Sequence, residues 1–161
     1  MVDSINHDVF GNLEFDYGWV KKIELELFGE KRELEIVIDA DEDADFEPAQ
    51  IESYKEFLKA IDTRVQDAEL ATFEFYQKES PDIRAQYGND TDVDRYVPKI
   101  SKKEELYKLV TPKQIIFPMV FDDTEREAGF LCDCSWEIEH GLGIKFENEI
   151  VNEVGFQDIL L

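Results

Sequence analysis

Two long runs near the N-terminus alternate apolar and polar residues. In Trp19–Phe28, Ile23, Leu25 and Leu27 fall on one face, and Lys22, Glu24 and Glu26 on the other. Farther on, Leu34, Ile36 and Ile38 alternate with Glu33, Glu35 and Val37. A period of two predicts strands with one dry and one wet face. Gly29-Glu30 between them is a two-residue hairpin turn candidate. A shorter apolar run, Val9–Phe15, holds a turn signal at Gly11-Asn12. The segment 9–39 therefore reads as a meander.

The period then changes. After an acidic loop over residues 40–47, Ile51, Tyr54, Leu58, Ile61 and Val65 recur three and four apart, and the stripe continues through Ala68, Thr72 and Phe75. This predicts one long or two shorter helices, with Pro48 in the first turn, Asp45 or Glu47 as cap, and a break near Asp62-Thr63. Ser80-Pro81 reads as the end, and residues 82–98 as a surface loop. Ser101–Glu104 has the S-x-x-E form of a capping box, opening a short helix with Leu106, Leu109 and Val110 inward and Thr111-Pro112 as its close. Ile115, Phe117, Met119 and Phe121 then alternate as a strand, where Pro118 predicts an edge position or a bulge. Asp122–Glu127 is a polar turn. A final hairpin pairs Leu142–Phe146 with Ile150–Val154, turning at Glu147-Asn148-Glu149.

The order strands, helices, strands predicts an α+β fold. Its antiparallel sheet combines the N-terminal meander with the C-terminal strands and hairpin, and helices pack on one face. With 161 residues and neither repeat nor linker, one domain over residues 1–161 is expected.

Composition adds one strong constraint. Thirty-nine acids oppose 17 bases, a net charge of −22. Phosphate contacts need clustered Lys and Arg, so nucleic acid and anionic membrane are disfavoured partners. A basic protein is the complementary partner, because opposite fields steer association. No apolar run approaches the ~20 residues of a membrane span, and the N-terminus M-V-D-S-I-N-H-D is unlike a signal peptide. The two cysteines, one residue apart in a strand, point away from a disulfide and toward a cytoplasmic location.

Three places invite chemistry. In the first, F-L-C-D-C-S-W-E-I-E-H-G-L-G-I, Cys132, Cys134 and His140 supply at most three zinc ligands, with His7 or an acid needed as a fourth. Yet Phe130, Cys132, Cys134, Trp136 and Ile138 share one parity, while Asp133, Ser135, Glu137 and Glu139 share the other. This is the pattern of a strand whose buried face carries the thiols as small hydrophobes. In the second, His140 follows that strand beside Glu137 and Glu139, ahead of two glycines, and no nucleophile accompanies it. In the third, Asp39–Glu47 places acids at alternate positions, but Ala44 stands where a calcium loop needs Gly, and Gln50 where it needs Glu. No phosphate-binding loop, dinucleotide fingerprint or H-E-x-x-H motif occurs. No cofactor, metal ligand set or catalytic residue is assigned.

The C-terminal third carries a resemblance. Cys134-Ser135-Trp136-Glu137-Ile138-Glu139-His140-Gly141-Leu142-Gly143, then Phe146-Glu147-Asn148 and Val151–Gly155 with Asp158, resembles the closing segment of small acidic bacterial domains of unknown function. These have a C-x-W-x-x-E-H-G-x-G core and a terminal hairpin ending E-V-G-x-x-D. The resemblance covers residues 115–161, and Glu149 stands where Gly often follows Asn. It implies a protein found near bacterial toxin systems, an immunity-type binder.

Together these readings give a non-catalytic acidic binding protein that neutralises or sequesters a basic partner. The expected contact residues are Asp41, Glu42, Asp43 and Asp45, with Glu137, Glu139 and His140. The alternative is a metal-binding protein or hydrolase-like enzyme centred on His140 with Cys132 and Cys134. A module of a larger assembly, or a homodimer joined by an edge strand, stands as a third reading.

Overall fold

The computed structural model describes residues 4–88, 91–120 and 125–161. Eight strands form one sheet in sequential order: β1 (Ser4–His7), β2 (Gly11–Phe15), β3 (Trp19–Leu27), β4 (Glu30–Ile38), β5 (Val110–Phe117), β6 (Glu127–Cys134), β7 (Leu142–Glu147) and β8 (Ile150–Gly155). Every neighbouring pair is antiparallel except β4 and β5, which run parallel. A parallel pair needs a long crossover. Here it holds the four α-helices of the described residues: α1 (Pro48–Lys59), α2 (Ile61–Tyr87), α3 (Val93–Tyr96) and α4 (Lys103–Leu106). The fold is α+β with a mostly antiparallel sheet.

Pleating sorts the two faces. Leu25, Leu27, Leu34, Ile36, Ile38, Ile115, Phe117, Phe130, Ile144 and Phe146 join one buried cluster with Tyr54, Phe57, Val65, Ala68 and Tyr76 of the helices. Phe57 is its centre, with ring centroids 5.8 Å from Phe117, 5.7 Å from Phe130 and 5.0 Å from Phe146. On the other face, Val37, Ile116 and Leu131 lie under Leu160, carried by a closing 3-10 turn, Gln157–Leu160.

The turns correct several sequence expectations. The β3–β4 hairpin turns on Phe28-Gly29, not Gly29-Glu30: Leu27 pairs with Glu30, and Phe28 takes φ +47°. An aromatic residue accepts that left-handed backbone because its ring is buried against Tyr107 and its N–H donates to the carboxylate of Glu69 at 2.6 Å. The β7–β8 turn also puts non-glycine residues in the left-handed region. Asn148 and Glu149 have φ +49° and +65°. Arg126 holds the Glu149 carboxylate with both Nε and a terminal nitrogen, and the Asn148 side chain accepts from the Arg126 backbone N–H. That anchorage is why Glu stands where Gly would be easiest.

Proline behaves differently from expectation at three places. Pro112 lies inside β5, where the register shifts between Pro112 and Gln114, so the bulge falls there. Pro118 follows the end of β5, and β5 is a central strand, not an edge. Pro81 is inside α2, which continues to Tyr87. Arg84 holds that last stretch by donating to Val97 O and pairing with Asp94 at 2.9 Å. The helix break falls at Ala60 instead of Asp62-Thr63. The cap of α4 is one residue later than S-x-x-E implies: Glu105, not Glu104, accepts from the backbones of Ser101 and Lys102. Val110 opens β5 instead of closing a helix. Phe121 and residues 122–124 of the expected polar turn lie outside the described residues.

Candidate functional site

The segment 135–141 is built by a strand that stops early. At Ser135 the chain leaves the β5–β6 ladder: its N–H donates to Leu109 O (2.9 Å) and its hydroxyl to Tyr96 O (2.7 Å). Period-two pairing therefore ends at Cys134, and the expected strand through Glu139 is a turn. Trp136 is still buried, packed edge-on to Tyr76 at 5.0 Å. Ile138, expected inside, is 83% exposed.

Glu137 organises this turn. Its Oε1 accepts from the backbone N–H groups of Glu139 and His140, both at 3.2 Å, and lies 3.1 Å from His140 Nδ1. Desolvation pulls its pKa up, but the bonds from the His140 ring and the two backbone N–H groups hold it below the ordinary carboxylate value. The His140 ring stacks on Phe156 at 4.8 Å, and His140 O accepts from Gln157 N–H. Both glycines of E-H-G-L-G are needed. Gly141 has φ +64°, and a Cβ there would collide with the Gln157 side chain and Cys132 O. A Cβ at Gly143 would sit 2.6 Å from Phe156 O. The loop and the C-terminal turn are thus closed on each other.

Cys132 and Cys134 lie beneath this loop as core residues. Burial pushes both thiols up, Cys134 to about 12. Neither joins the nearest group of ligand atoms, Glu137, Glu139 and His140, which lie within 4.8 Å of one another. The centre combining His140 with both thiols does not form. His7, the remote candidate for a fourth zinc ligand, is used locally: its Nδ1 accepts from Val9 and Phe10 N–H.

The loop floors a cleft of about 840 Å³. The C-terminal half of α2 supplies one wall through Phe75, Glu79, Ile83 and Tyr87, with Tyr96 of α3 beside it. Glu153, Gly155, Phe156 and Asp158 form the opposite side, and Trp136 lies between. Six carboxylates and five aromatic rings line the cleft, and no Lys or Arg does. Glu79, Glu139 and Asp158 form no ion pair among the described residues. Behind Trp136, burial raises the Tyr76 phenol to about 12, and its hydroxyl donates to Pro98 O. Glu79, Ile83, Tyr87 and Tyr96 line the cleft and are missed by the sequence reading, the last three because Ser80-Pro81 looks like a helix end. The i, i+4 series Phe75, Glu79, Ile83, Tyr87 is the signal that could find them.

The acidic loop is elsewhere. Ile38, at the end of β4, pairs with Phe117 at the end of β5, while Cys134 pairs with Val110 at the start of β5. The two acidic segments are thus separated by the length of β5, roughly 23 Å at ~3.3 Å per residue. Asp41, Glu42, Asp43 and Asp45 are all exposed. Their loop is pinned by Trp19 Nε1 donating to Asp41 O and by buried Gln50, whose amide donates to Asp39 O and Phe117 O. The expected contact residues therefore form two surfaces, not one.

A family model described as a domain of unknown function (DUF6985) matches residues 9–161. The chain belongs to the DUF6985 family. The matched region holds the cleft, the acidic loop and the sheet from β2 onward; β1 precedes it. No curated protein and no solved structure matches the chain significantly. No helix among the described residues is long and apolar enough to cross a membrane.

Proposed function

We propose that this chain is a non-catalytic acidic binding protein that sequesters a basic protein partner, as an immunity protein neutralises a toxin. One observation carries the reading: a cleft lined by six carboxylates and five aromatic rings, with no Lys or Arg in its walls. Carboxylates gathered around one cavity with no cationic side chain in its walls are complementary to an incoming cation. The net charge of −22 adds long-range steering toward such a partner. The acidic loop contributes to that field from the other end of β5, while the cleft supplies contact.

Titration with a Lys- and Arg-rich peptide, followed by backbone amide NMR, tests the proposal. The expected shifts concentrate on Glu79, Tyr87, Trp136 and Asp158, and affinity falls steeply between roughly 50 and 300 mM salt as exposed charge pairs are screened. Shifts spread evenly over all acidic surface, or no binding at low salt, overturn it.

A further inference from the structure

The rim of the cleft is as informative as its walls. Ile138 is 83% exposed and Phe156 47% exposed. Both line the cleft mouth beside Glu139 and Asp158. Such apolar side chains among carboxylates cannot be satisfied by a bare cation; they are covered when an apolar residue of a partner lies against them. Ile138 is not free to turn inward, because Ser135 and Glu137 fix the turn that carries it. Its exposure is built into the loop.

The walls select among cations. Aromatic faces with carboxylates beside them suit a planar guanidinium, which stacks and donates to two oxygens at once, better than a strongly hydrated ammonium. One face of the Tyr96 ring is already taken by the guanidinium of the neighbouring Arg95 at 5.2 Å, which leaves the other rings of the lining for a partner's cation. The cleft volume, about 840 Å³, admits a few side chains and not a folded element.

Resting on the reading of the chain as a binder of a basic protein, we propose that the partner docks through a short segment in which one arginine enters the cleft and an adjacent apolar side chain covers Ile138 and Phe156. The arginine is recognised by aromatic stacking and by Glu79, Glu139 and Asp158. The apolar residue fixes which arginine of the partner is taken.

Three short peptides test this by calorimetry on the full chain: one with a Leu-Arg pair in a Gly/Ser background, one with citrulline replacing Arg, and one with Ser replacing Leu. Citrulline keeps the shape of arginine and removes its charge. The expected result is measurable binding of the first, at least about tenfold weaker binding of the citrulline peptide, and about fivefold weaker binding of the Ser peptide, on the scale of a well-buried methylene or two. Ile138→Ser, an exposed change that leaves the fold intact, erases the difference between the Leu and Ser peptides. Glu79→Gln together with Asp158→Asn weakens the Arg peptide alone. Equal binding of the arginine and citrulline peptides overturns the proposal, as does an unchanged Leu preference in Ile138→Ser. If polycationic peptides bind at the cleft while the Leu-Arg peptide does not, this inference fails and the broader reading stands. If neither binds, both fail.

Discussion

The acidic loop 39–47 and the cleft floor 135–141 both carry acids, and they sit at opposite ends of β5. They differ in what stands behind the carboxylates. In the first, the backbone is hooked to the protein by Trp19 and Gln50 while the acidic side chains face water. In the second, the acids share a cavity with Trp136, Tyr87, Tyr96 and Phe156, and one of them, Glu137, is itself an acceptor that shapes the loop. Carboxylates in water attract weakly and from afar; carboxylates against apolar walls act at short range with less screening. Composition alone gives the two segments the same appearance.

The comparison is sharpened most by removing the hook of the acidic loop. Gln50 is fully buried, donates to two backbone carbonyls and accepts from Glu47 N–H at 2.9 Å. Gln50→Ala leaves Asp39 O unmet, leaves Phe117 O with the Asp39 N–H as its one donor and the α1 cap incomplete, a loss of about 3 kcal/mol in urea unfolding. Peptide binding at the cleft remains unchanged in the folded protein. A loss of cleft binding in proportion to stability would show that the two regions act as one.

The closure of the core beneath the cleft loop can be tested through the thiols. Both cysteines have raised pKa values, Cys134 up to about 12. A group raised in the folded state contributes stability that is fully present below its unfolded pKa and is lost as pH rises toward the folded value. Stability should therefore fall from about pH 9 upward, by at most about 1.4 kcal/mol per pH unit for each thiol. Tyr76 and Tyr107, both raised to about 12 by burial, add to the slope above about pH 10. At about pH 8, below the ordinary thiol range, the native protein should react with a disulfide reagent no faster than it unfolds. Rapid reaction of either thiol would mean an open core beneath the loop, and the contrast with the water-backed acidic loop would weaken.

Glu137 offers a smaller effect with the opposite sign of pH dependence. Its pKa is lowered, so its contribution is present above the ordinary carboxylate value and is lost as pH falls through the folded pKa. Protection of the amides of residues 139–141, measured against the intrinsic exchange rate at each pH, should fall as pH drops below the ordinary carboxylate range. Glu137→Gln keeps an acceptor but weakens it, lowering stability by about 1 kcal/mol at neutral pH and removing that acid dependence. An unchanged acid profile in the variant would assign loop order to His140 and Phe156 stacking instead.

The hairpin of β3 and β4 and the C-terminal hairpin are legible in the sequence because apolar residues recur with period two, whereas β1 and the parallel β4–β5 pair, which depends on the helical crossover, are not. Legibility fails where a distant side chain overrides a local rule. Phe28 takes a left-handed turn position because Glu69, from α2, receives its N–H. Pro81 fails to end α2 because Arg84 ties the last turns to Val97 and Asp94. Ile138 breaks its parity because Ser135 is drawn off the ladder by Leu109 and Tyr96. Two of these three lie at the cleft, so the site is the least readable part of the chain. The acids and His140 beside it are visible in the sequence. Their aromatic company is not, because Tyr87 and Tyr96 come from a stretch that reads as loop.

The smallest expected effect is also the sharpest separation of the two regions. Replacing Asp41, Asp43 and Asp45 together by Asn keeps the Asp43 acceptor for the Asp45 N–H, since an amide oxygen takes the same bond. All three side chains are exposed, so stability should move by less than about 0.5 kcal/mol. Three charges fewer out of a net −22 should slow association with a basic peptide at low salt by about twofold and leave dissociation untouched. Stopped-flow measurement of both rates, set beside Glu79→Gln with Asp158→Asn, decides the matter. The cleft pair should raise the dissociation rate, and the loop triple should not. A loop triple that speeds dissociation as much as the cleft pair would make the exposed acidic loop a contact surface in its own right.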